Sequence, residues 1–135
     1  MSAPSTAASP KGGYLTTHVL DTMHGTPAQG MKLELYVREV SADGCSDGRW
    51  LSLRSVTTND DGRIDGPLLS GTDFKAGCYR LAFDVEAYYR ARGVELPQPA
   101  FLGKVSIDFG IADEQAHYHV PLLVSPWSYS TYRGS

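Results

Sequence analysis

The chain has little of several features that mark common classes of protein. Its 135 residues contain no apolar run near the length of about 18 residues that a membrane-spanning helix needs. The formal net charge is −3 and no basic cluster occurs, which argues against nucleic acid as a partner. A Gly-rich phosphate loop and a Gly-x-Ser-x-Gly nucleophile elbow are also missing. We therefore expect no membrane and no nucleic-acid partner.

Cysteine is also scarce. Cys45 and Cys78 are the only two, and they form no Cys-x-x-Cys motif. Met1 to Gly12 lack the apolar segment of a secretory signal, so we expect a cytoplasmic location, where two unpaired thiols are favoured over a disulfide. Residues 1–13, rich in Ser, Ala, Pro and Gly, are predicted to form a flexible extension. Residues 14–135 are predicted to form one domain.

Alternation of apolar and polar residues predicts a protein built mostly of strands. Met31 to Val40 is the clearest strand, and the pattern recurs in the segments 14–21, 50–58, 77–83, 103–111, 117–124 and 128–132. Asp84 to Arg92 is the one convincing helix, with Asp84 as its N-cap and Gly93 able to end it. Seven or eight short strands separated by turn signals predict an all-β antiparallel sandwich.

Polar side chains interrupt the outer face of two of these strands. His18 and His119 lie mid-strand, opposite the predicted core, and because imidazole exchanges protons near neutral pH they suggest a shared site. Taken singly, each is better explained as a structural residue; only the two together point to a site. Zinc bound by His117, His119 and His18 fits the spacing, but His-x-His pairs are common, so we expect no metal. Arg63 is either a surface arginine or a fork aimed at the carbonyl oxygens of a planar ligand.

Several segments resemble the transthyretin-related 5-hydroxyisourate hydrolases. The matching segments are Leu15 to Thr22 with Gly25 to Ala28, Thr58 to Arg63, the helix region from Phe83 to Gly93, and the ending Tyr118-His119-Val120-Pro121-Leu122-Leu123 followed by Tyr132-Arg133-Gly134-Ser135. They occur in order and cover residues 14–135. Separate motifs at compatible spacing make the resemblance specific.

The resemblance implies a transthyretin-like sandwich of two four-stranded sheets with one short helix. It also implies a homotetramer, a dimer of dimers with a channel at the dimer–dimer interface. The implied reaction is hydrolysis of 5-hydroxyisourate to 2-oxo-4-hydroxy-4-carboxy-5-ureidoimidazoline in urate degradation, without a cofactor. Carried over residue by residue, the implied catalytic groups are His18, Arg63 and His119. The implied substrate-binding groups are Ser130, Tyr132, Arg133, Gly134 and Ser135.

A second reading is a small-molecule carrier. Hormone carriers of the same fold bind their ligand in the corresponding channel and do no chemistry. The resemblance separates the two classes by the channel lining, since carriers lack the two histidines, the arginine and the Tyr-Arg-Gly-Ser ending that this chain has. Imidazoles and a guanidinium also make a channel less suited to a large apolar ligand.

Overall fold

A computed structural model describes residues 12–39 and 48–135. Within them lie a 3-10 turn at Gly71–Asp73, one α-helix and nine strands. The helix, α1, is Val85–Ala91. The strands are β1 Tyr14–Asp21, β2 Thr26–Pro27, β3 Lys32–Arg38, β4 Trp50–Thr57, β5 Leu69–Ser70, β6 Gly77–Asp84, β7 Lys104–Ile111, β8 His117–Val124 and β9 Tyr129–Ser130.

The strands form two sheets. The first has the order β9-β8-β1-β2, with β5 also paired to β1, and the second has the order β4-β3-β6-β7. All pairs are antiparallel except β1 and β8, which run parallel in register over their full length. The predicted all-β sandwich is confirmed. The first sheet differs from the expected four antiparallel strands because it gains β5 and contains this parallel pair.

Alternating burial shows which face of each strand meets the core. In β1 the odd-numbered residues are buried, and in β8 the even-numbered ones are buried, as the sequence pattern predicted. The same holds for Leu33 and Leu35 in β3. The core between the sheets contains Leu15, Val19, Leu33, Leu35, Leu81, Phe83, Val105, Leu122 and Val124. The opposite face of β1 and β8 is therefore left for polar side chains.

The helix begins and ends where predicted. The Asp84 side chain accepts a hydrogen bond from the Ala87 backbone N–H at 3.4 Å, and Gly93 follows the helix with φ +82°. Tyr88 and Tyr89 are buried and donate their hydroxyls to Asp21, at 2.7 and 2.8 Å. The helix is thus attached to the end of β1 by a buried carboxylate.

The last strand is shorter than predicted. Only Tyr129 and Ser130 pair with β8, because two positions further along β8 the tail meets Pro121, which has no N–H to offer a neighbour. The Pro121 carbonyl accepts the Thr131 hydroxyl at 2.6 Å instead. The chain returns to β8 at a single bridge between His119 and Gly134.

Two sequence-based expectations fall at the margins of the described residues. Cys78 is disulfide-bonded, so the expectation of two unpaired thiols is wrong. That expectation rested on the predicted cytoplasmic location, which says nothing about distances between residues. Cys45, the other cysteine of the chain, lies outside the described residues. Residues 1–11 also lie outside them, and the predicted extension over residues 1–13 stays a prediction. Gly13 is buried and donates to the Glu114 carbonyl at 2.7 Å. Among the described residues no helix is long and apolar enough to cross a membrane.

Candidate active site

A cleft of about 390 Å3 with several polar side chains in its lining opens on the outer face of the first sheet. It is lined by β1, β8, the segment 63–66 and the end of the tail, which we define as residues 131–135. Its lining residues are Tyr14, Thr16, Thr17, Arg63, Ile64, Gly66, His117, His119 and Ser135. A cleft of about 410 Å3 on the second sheet has lysine and carboxylate side chains but no histidine in its described lining. Chemistry, rather than size, selects the first cleft as the candidate site.

The parallel pairing of β1 with β8 brings the cleft residues together. Thr16 is the Cα partner of His119, and Tyr14 is the partner of His117, so all four share one face. The Thr16 hydroxyl Oγ1 lies 2.8 Å from His117 Nε2 and 2.8 Å from His119 Nδ1. One hydroxyl therefore joins the two imidazoles. His119 Nε2 makes no hydrogen bond to any described residue, which leaves it open to a ligand or water.

His117 is held by the contact with Thr16 and by a neighbouring aromatic ring. The Tyr14 ring stacks on it with a centroid distance of 4.0 Å and an interplanar angle of 13°. Burial lowers the pKa of His117, and the nearby Arg133 guanidinium lowers it further. At neutral pH this imidazole is therefore uncharged and has one nitrogen able to accept a proton.

Arg63 owes its place to the turn that precedes it. Asn59 Oδ1 accepts the backbone N–H groups of Asp61 and Arg63, at 2.9 and 3.1 Å. Gly62 has φ +75°, and its carbonyl accepts the Val19 N–H at 2.8 Å; a Cβ there would lie 2.3 Å from the Val19 oxygen. The guanidinium makes no hydrogen bond or ion pair within the described residues. These contacts fix the backbone of the turn, while the Arg63 guanidinium stays without a partner among the described residues. A site for a ligand oxygen would require both.

His18 adjoins the cleft through the same turn. Its Nε2 lies 2.9 Å from the Asp61 carbonyl oxygen, and because a carbonyl only accepts, Nε2 carries the hydrogen and Nδ1 carries the lone pair. Burial and then the Arg63 charge lower the pKa of His18, against the opposing effect of Asp61. His18 is thus a neutral base candidate with a defined tautomer.

The pKa of His119 is lowered by burial and by several neighbouring charges. Burial lowers its pKa most, and the charges of Arg63, His117 and His18 lower it further. Three cationic or potentially cationic neighbours make a charge on this ring costly. His119 is therefore a neutral imidazole at pH 7, the form that can take a proton from water.

The tail closes over His119. Gly134 N–H donates to the His119 carbonyl at 2.8 Å, and the His119 N–H donates to the Gly134 carbonyl at 3.1 Å. A Cβ on Gly134 would lie 3.1 Å from both Cβ and Cδ2 of His119. The Arg133 guanidinium lies over the Tyr118 ring, 4.3 Å from its centroid. The tail backbone thus packs directly against the imidazole.

The structure gathers several of the predicted site residues. Arg63, His119 and Ser135 line the cleft, while Gly134 and Arg133 contact its two imidazole-bearing residues. His18 is near enough to act on the pKa of His119. Ser130 and Tyr132, both among the described residues, lie outside the cleft lining, and Tyr132 is 61% exposed. Their roles stay predictions.

Sequence reasoning missed three contributors. Tyr14, Thr16 and His117 line the cleft, yet none was predicted as a site residue. The available signal was the shared outer face of the two strands, but alternation alone does not say which strands are neighbours. Within residues 12–39 and 48–135 no group of three or more His, Cys, Asp or Glu side chains could hold a metal ion. That no metal is needed stays a prediction.

Comparison with known proteins agrees with this geometry. The model of the HIUase/Transthyretin family matches residues 15–134. The chain is 57% identical over 124 residues to a 5-hydroxyisourate hydrolase of Pseudomonas aeruginosa, covering 91% of this chain and 92% of the relative. The fold is similar to Klebsiella pneumoniae 5-hydroxyisourate hydrolase, with TM-score 0.70, 34% identity, and 91% and 99% of the two chains covered.

A transthyretin is also similar to this chain. Sea bream transthyretin, solved in complex with thyroxine, matches with TM-score 0.74 and 30% identity, over 89% of this chain and 93% of its own. The family model, which matches residues 15–134, spans nearly the whole of the predicted domain. The chain belongs to the HIUase/Transthyretin family.

Proposed function

We propose that this protein is an enzyme that hydrolyses 5-hydroxyisourate, opening the ring amide to give 2-oxo-4-hydroxy-4-carboxy-5-ureidoimidazoline. The observation that carries the proposal is a cleft lined by a neutral imidazole, His119, and by a guanidinium, Arg63, that has no hydrogen-bond or ion-pair partner in the described part of the chain. The identity of 57% to a protein named for this activity supports the choice of substrate.

The first step is activation of water. His119 Nε2, which has no hydrogen-bond partner among the described residues, takes a proton from a water molecule, and the hydroxide attacks the ring carbonyl carbon. The lowered pKa of His119 keeps it neutral and ready to act near pH 7, since burial and Arg63 both disfavour its charged form. The proton that His119 gains then stays close to the reacting atoms.

The second step is stabilisation and collapse of the intermediate. Negative charge grows on the carbonyl oxygen, and Arg63 stabilises it with a guanidinium that has no other partner within the described residues. The carbon–nitrogen bond then breaks, and an imidazolium returns the proton to the leaving nitrogen. His119, protonated in the first step, performs this transfer; His18 can take its place only after it has itself gained a proton. The substrate is held by Ser130 and by the tail, through Tyr132, Arg133, Gly134 and Ser135.

The proposal includes a homotetramer formed as a dimer of dimers. Large apolar side chains remain exposed in the single chain, and Phe101 and Trp127 lie 6.1 Å apart between ring centroids with exposures of 70% and 57%. Burying such aromatics between subunits would stabilise an assembly. Light scattering coupled to size-exclusion chromatography should give four times the chain mass. A cytoplasmic location remains part of the proposal, testable by cell fractionation.

The rival function is a hormone-type carrier, which the likeness to a thyroxine-bound transthyretin favours. The two imidazoles and the guanidinium in the cleft lining argue against it, because these groups suit a large apolar ligand poorly. A titration with thyroxine, followed by quenching of Trp fluorescence, tests this reading directly. Saturable binding together with no hydrolysis would favour the carrier.

The deciding experiment follows the loss of 5-hydroxyisourate absorbance after it is generated in place from urate with urate oxidase. Wild-type protein should accelerate the decay. His119→Asn should lower kcat by about 10²-fold or more, the usual contribution of a general acid–base group. Arg63→Gln should also be impaired, whereas its matched control Arg49→Gln removes an exposed arginine whose side chain is 81% accessible and should be silent.

Each outcome decides something. An unchanged rate in His119→Asn, with the protein folded by circular dichroism, would remove His119 from the mechanism. No acceleration by the wild-type protein would overturn the hydrolase proposal and leave the fold unaffected.

A further inference from the structure

We propose that Thr16 is a positioning residue that joins His119 to His117 in one hydrogen-bonded chain, fixing the tautomer of His119 and letting its charge pass to His117. The inference rests on the proposed hydrolysis but adds two residues to it. It is carried by geometry: a single hydroxyl lies 2.8 Å from a nitrogen of each ring.

The strand pairing makes this contact a fixed feature of the sheet. Thr16 and His119 are Cα partners on parallel neighbouring strands, and His117 lies two residues before His119 on the same face. Stacking on Tyr14 restrains His117, and two backbone hydrogen bonds to Gly134 restrain His119. Thr itself is β-branched and has restricted side-chain rotamers. The three side chains thus have little freedom to separate.

Hydrogen counting leaves two arrangements. A threonine hydroxyl has one hydrogen and two acceptor lone pairs, and Thr16 Oγ1 has no third partner among the described residues, so its hydrogen points to one imidazole and it accepts from the other. In the first arrangement His119 Nδ1–H donates to Oγ1, and Oγ1–H donates to His117 Nε2. In the second the directions reverse, and His119 Nδ1 becomes the acceptor.

Only the first arrangement suits catalysis by His119. With the hydrogen on Nδ1, the lone pair is on Nε2, the nitrogen that has no partner within the described residues. Because the two rings share one hydroxyl, the tautomer of His117 determines that of His119. His117 thus has a role of its own, because its Nε2 lone pair selects the Nδ1–H tautomer of His119, whose Nε2 is basic.

The same chain gives the captured proton a path. When His119 Nε2 takes a proton from water, the Nδ1–H bond breaks and that proton binds Thr16 Oγ1. The original Oγ1–H bond breaks in turn, and its proton binds His117 Nε2. Nothing is oxidised or reduced; one positive charge moves from His119 to His117, and the reverse shift returns it for transfer to the leaving nitrogen.

The surrounding charges limit His119 and His117 together to a single positive charge. Arg63, His18 and His117 act on His119, and Arg133 acts on His117, where Tyr14 also stacks. Two guanidiniums near two imidazoles make a second positive charge unfavourable. The pair should therefore titrate as a unit, in which protonation of one ring lowers the pKa of the other.

The test uses two substitutions of Thr16. Thr16→Val keeps the branched shape and removes the hydroxyl, while Thr16→Ser keeps the hydroxyl as the matched control. Thr16→Val should lower kcat by roughly 10- to 100-fold, the range expected when a hydrogen bond to a charged group is lost from the transition state. Thr16→Ser should stay within about threefold, and KM should change little in either, as for an interaction gained in the transition state.

A second pair of variants tests the link through His117. His117→Phe keeps a ring to stack on Tyr14 but has no nitrogen. If His117 acts through Thr16, the double variant Thr16→Val/His117→Phe should be no slower than the worse single variant. Multiplicative losses in the double variant would overturn the proposed chain.

A readout that does not depend on turnover separates this inference from the proposed function. Ring 15N NMR of the folded wild-type protein should assign the hydrogen of neutral His119 to Nδ1, and Thr16→Val should shift the population towards Nε2–H. Thr16→Ser should retain the wild-type pattern. An Nε2–H tautomer in the wild type, or no change in Thr16→Val, would overturn the positioning role even in an active enzyme. If the wild type proves inactive, the hydrolase proposal fails while the NMR result still decides the tautomer coupling.

Discussion

Replacing Gly134 with alanine should impair catalysis through a steric contact in a protein that remains folded. A Cβ at this position lies 3.1 Å from His119 Cβ and Cδ2 and 3.4 Å from its Cγ. Carbon atoms prefer separations of about 3.5 Å or more, so the ring must retreat by roughly 0.4 Å or the tail must lift. The Gly134 φ lies outside the left-handed region, so alanine adds no backbone strain of its own.

Two responses are open, and both lower turnover. The tail is held by two backbone hydrogen bonds to His119, at 2.8 and 3.1 Å, which favour movement of the ring. A misplacement of 1 Å costs about 10²-fold in rate, so a shift of roughly 0.4 Å should lower kcat by about sixfold. If the tail lifts instead, His119 loses both backbone contacts and the loss should approach that of a chain lacking Tyr132 to Ser135.

The assay is the decay of 5-hydroxyisourate, with kcat and KM measured separately and the melting temperature taken on the same samples. Gly103→Ala is the matched control, because a Cβ there meets only Glu86 Oε1 at 3.7 Å. We expect Gly103→Ala to be silent and Gly134→Ala to lose kcat with little change in melting temperature. A Gly134→Ala enzyme with wild-type kcat would refute the view that the tail backbone positions His119.

Two further predictions concern charge. His119 must be neutral to act and its pKa lies below the usual 6.5, so the rate should fall only as pH drops below 6.5. Arg63→Gln removes one cause of the lowered pKa, so the acid limb of kcat/KM should move upward towards 6.5. An acid limb that does not move would contradict the assignment of His119 as the base. Burial alone would raise the pKa of Asp21, but hydrogen bonds from His24, Tyr88 and Tyr89 leave it lowered, so its contribution to stability is present above the unfolded-state pKa and is lost as pH falls through the folded-state pKa. Asp21→Asn should lower the free energy of unfolding by about 2–4 kcal/mol at pH 7 and weaken its dependence on acid pH, measured by urea denaturation; a loss below about 0.5 kcal/mol would show that the charge contributes little.

The sequence predicted the faces of the strands better than their neighbours. Alternation in β1 and β8 is a local property, and it correctly identified the core face of both strands, although Pro121 on the outer face of β8 is buried as well. Pairing depends on which strands meet, and the two segments are about a hundred residues apart, as the contact of Thr16 with His117 shows with a separation of 101. The parallel contact between them, and with it the role of Thr16, could not be read from either segment alone.

Other departures have local causes that are visible only in three dimensions. The final strand stops early because Pro121 lies opposite the tail and cannot donate a hydrogen bond. The state of Cys78 depends on a distance between distant segments, which spacing in the sequence does not provide. Arg63 is different: the turn before it was recognised, but its lack of a partner within the described residues emerges only from the packed structure.

The register between β1 and β8 connects the stability of the fold to the chemistry of the cleft. A slip of one residue would turn Thr16 and His119 to opposite faces, and a slip of two would keep the faces but separate the hydroxyl from its imidazole. The alternating pattern forbids only the first slip, so the second must be prevented elsewhere.

Several hydrogen bonds fix the register, one beside Thr16 and the others at the far end of the same strands. Thr17 Oγ1 donates to the Val120 carbonyl at 2.7 Å, and the Thr22 backbone N–H donates to the Val124 carbonyl at 2.8 Å. The Tyr89 hydroxyl lies 2.8 Å from Asp21 Oδ1 and 2.9 Å from the Val124 oxygen, so the helix touches the ends of both strands at once. Asp21 lies five positions beyond Thr16 along β1, about 17 Å of strand. The buried carboxylate is thus remote from the substrate, yet it helps to hold Thr16 opposite His119.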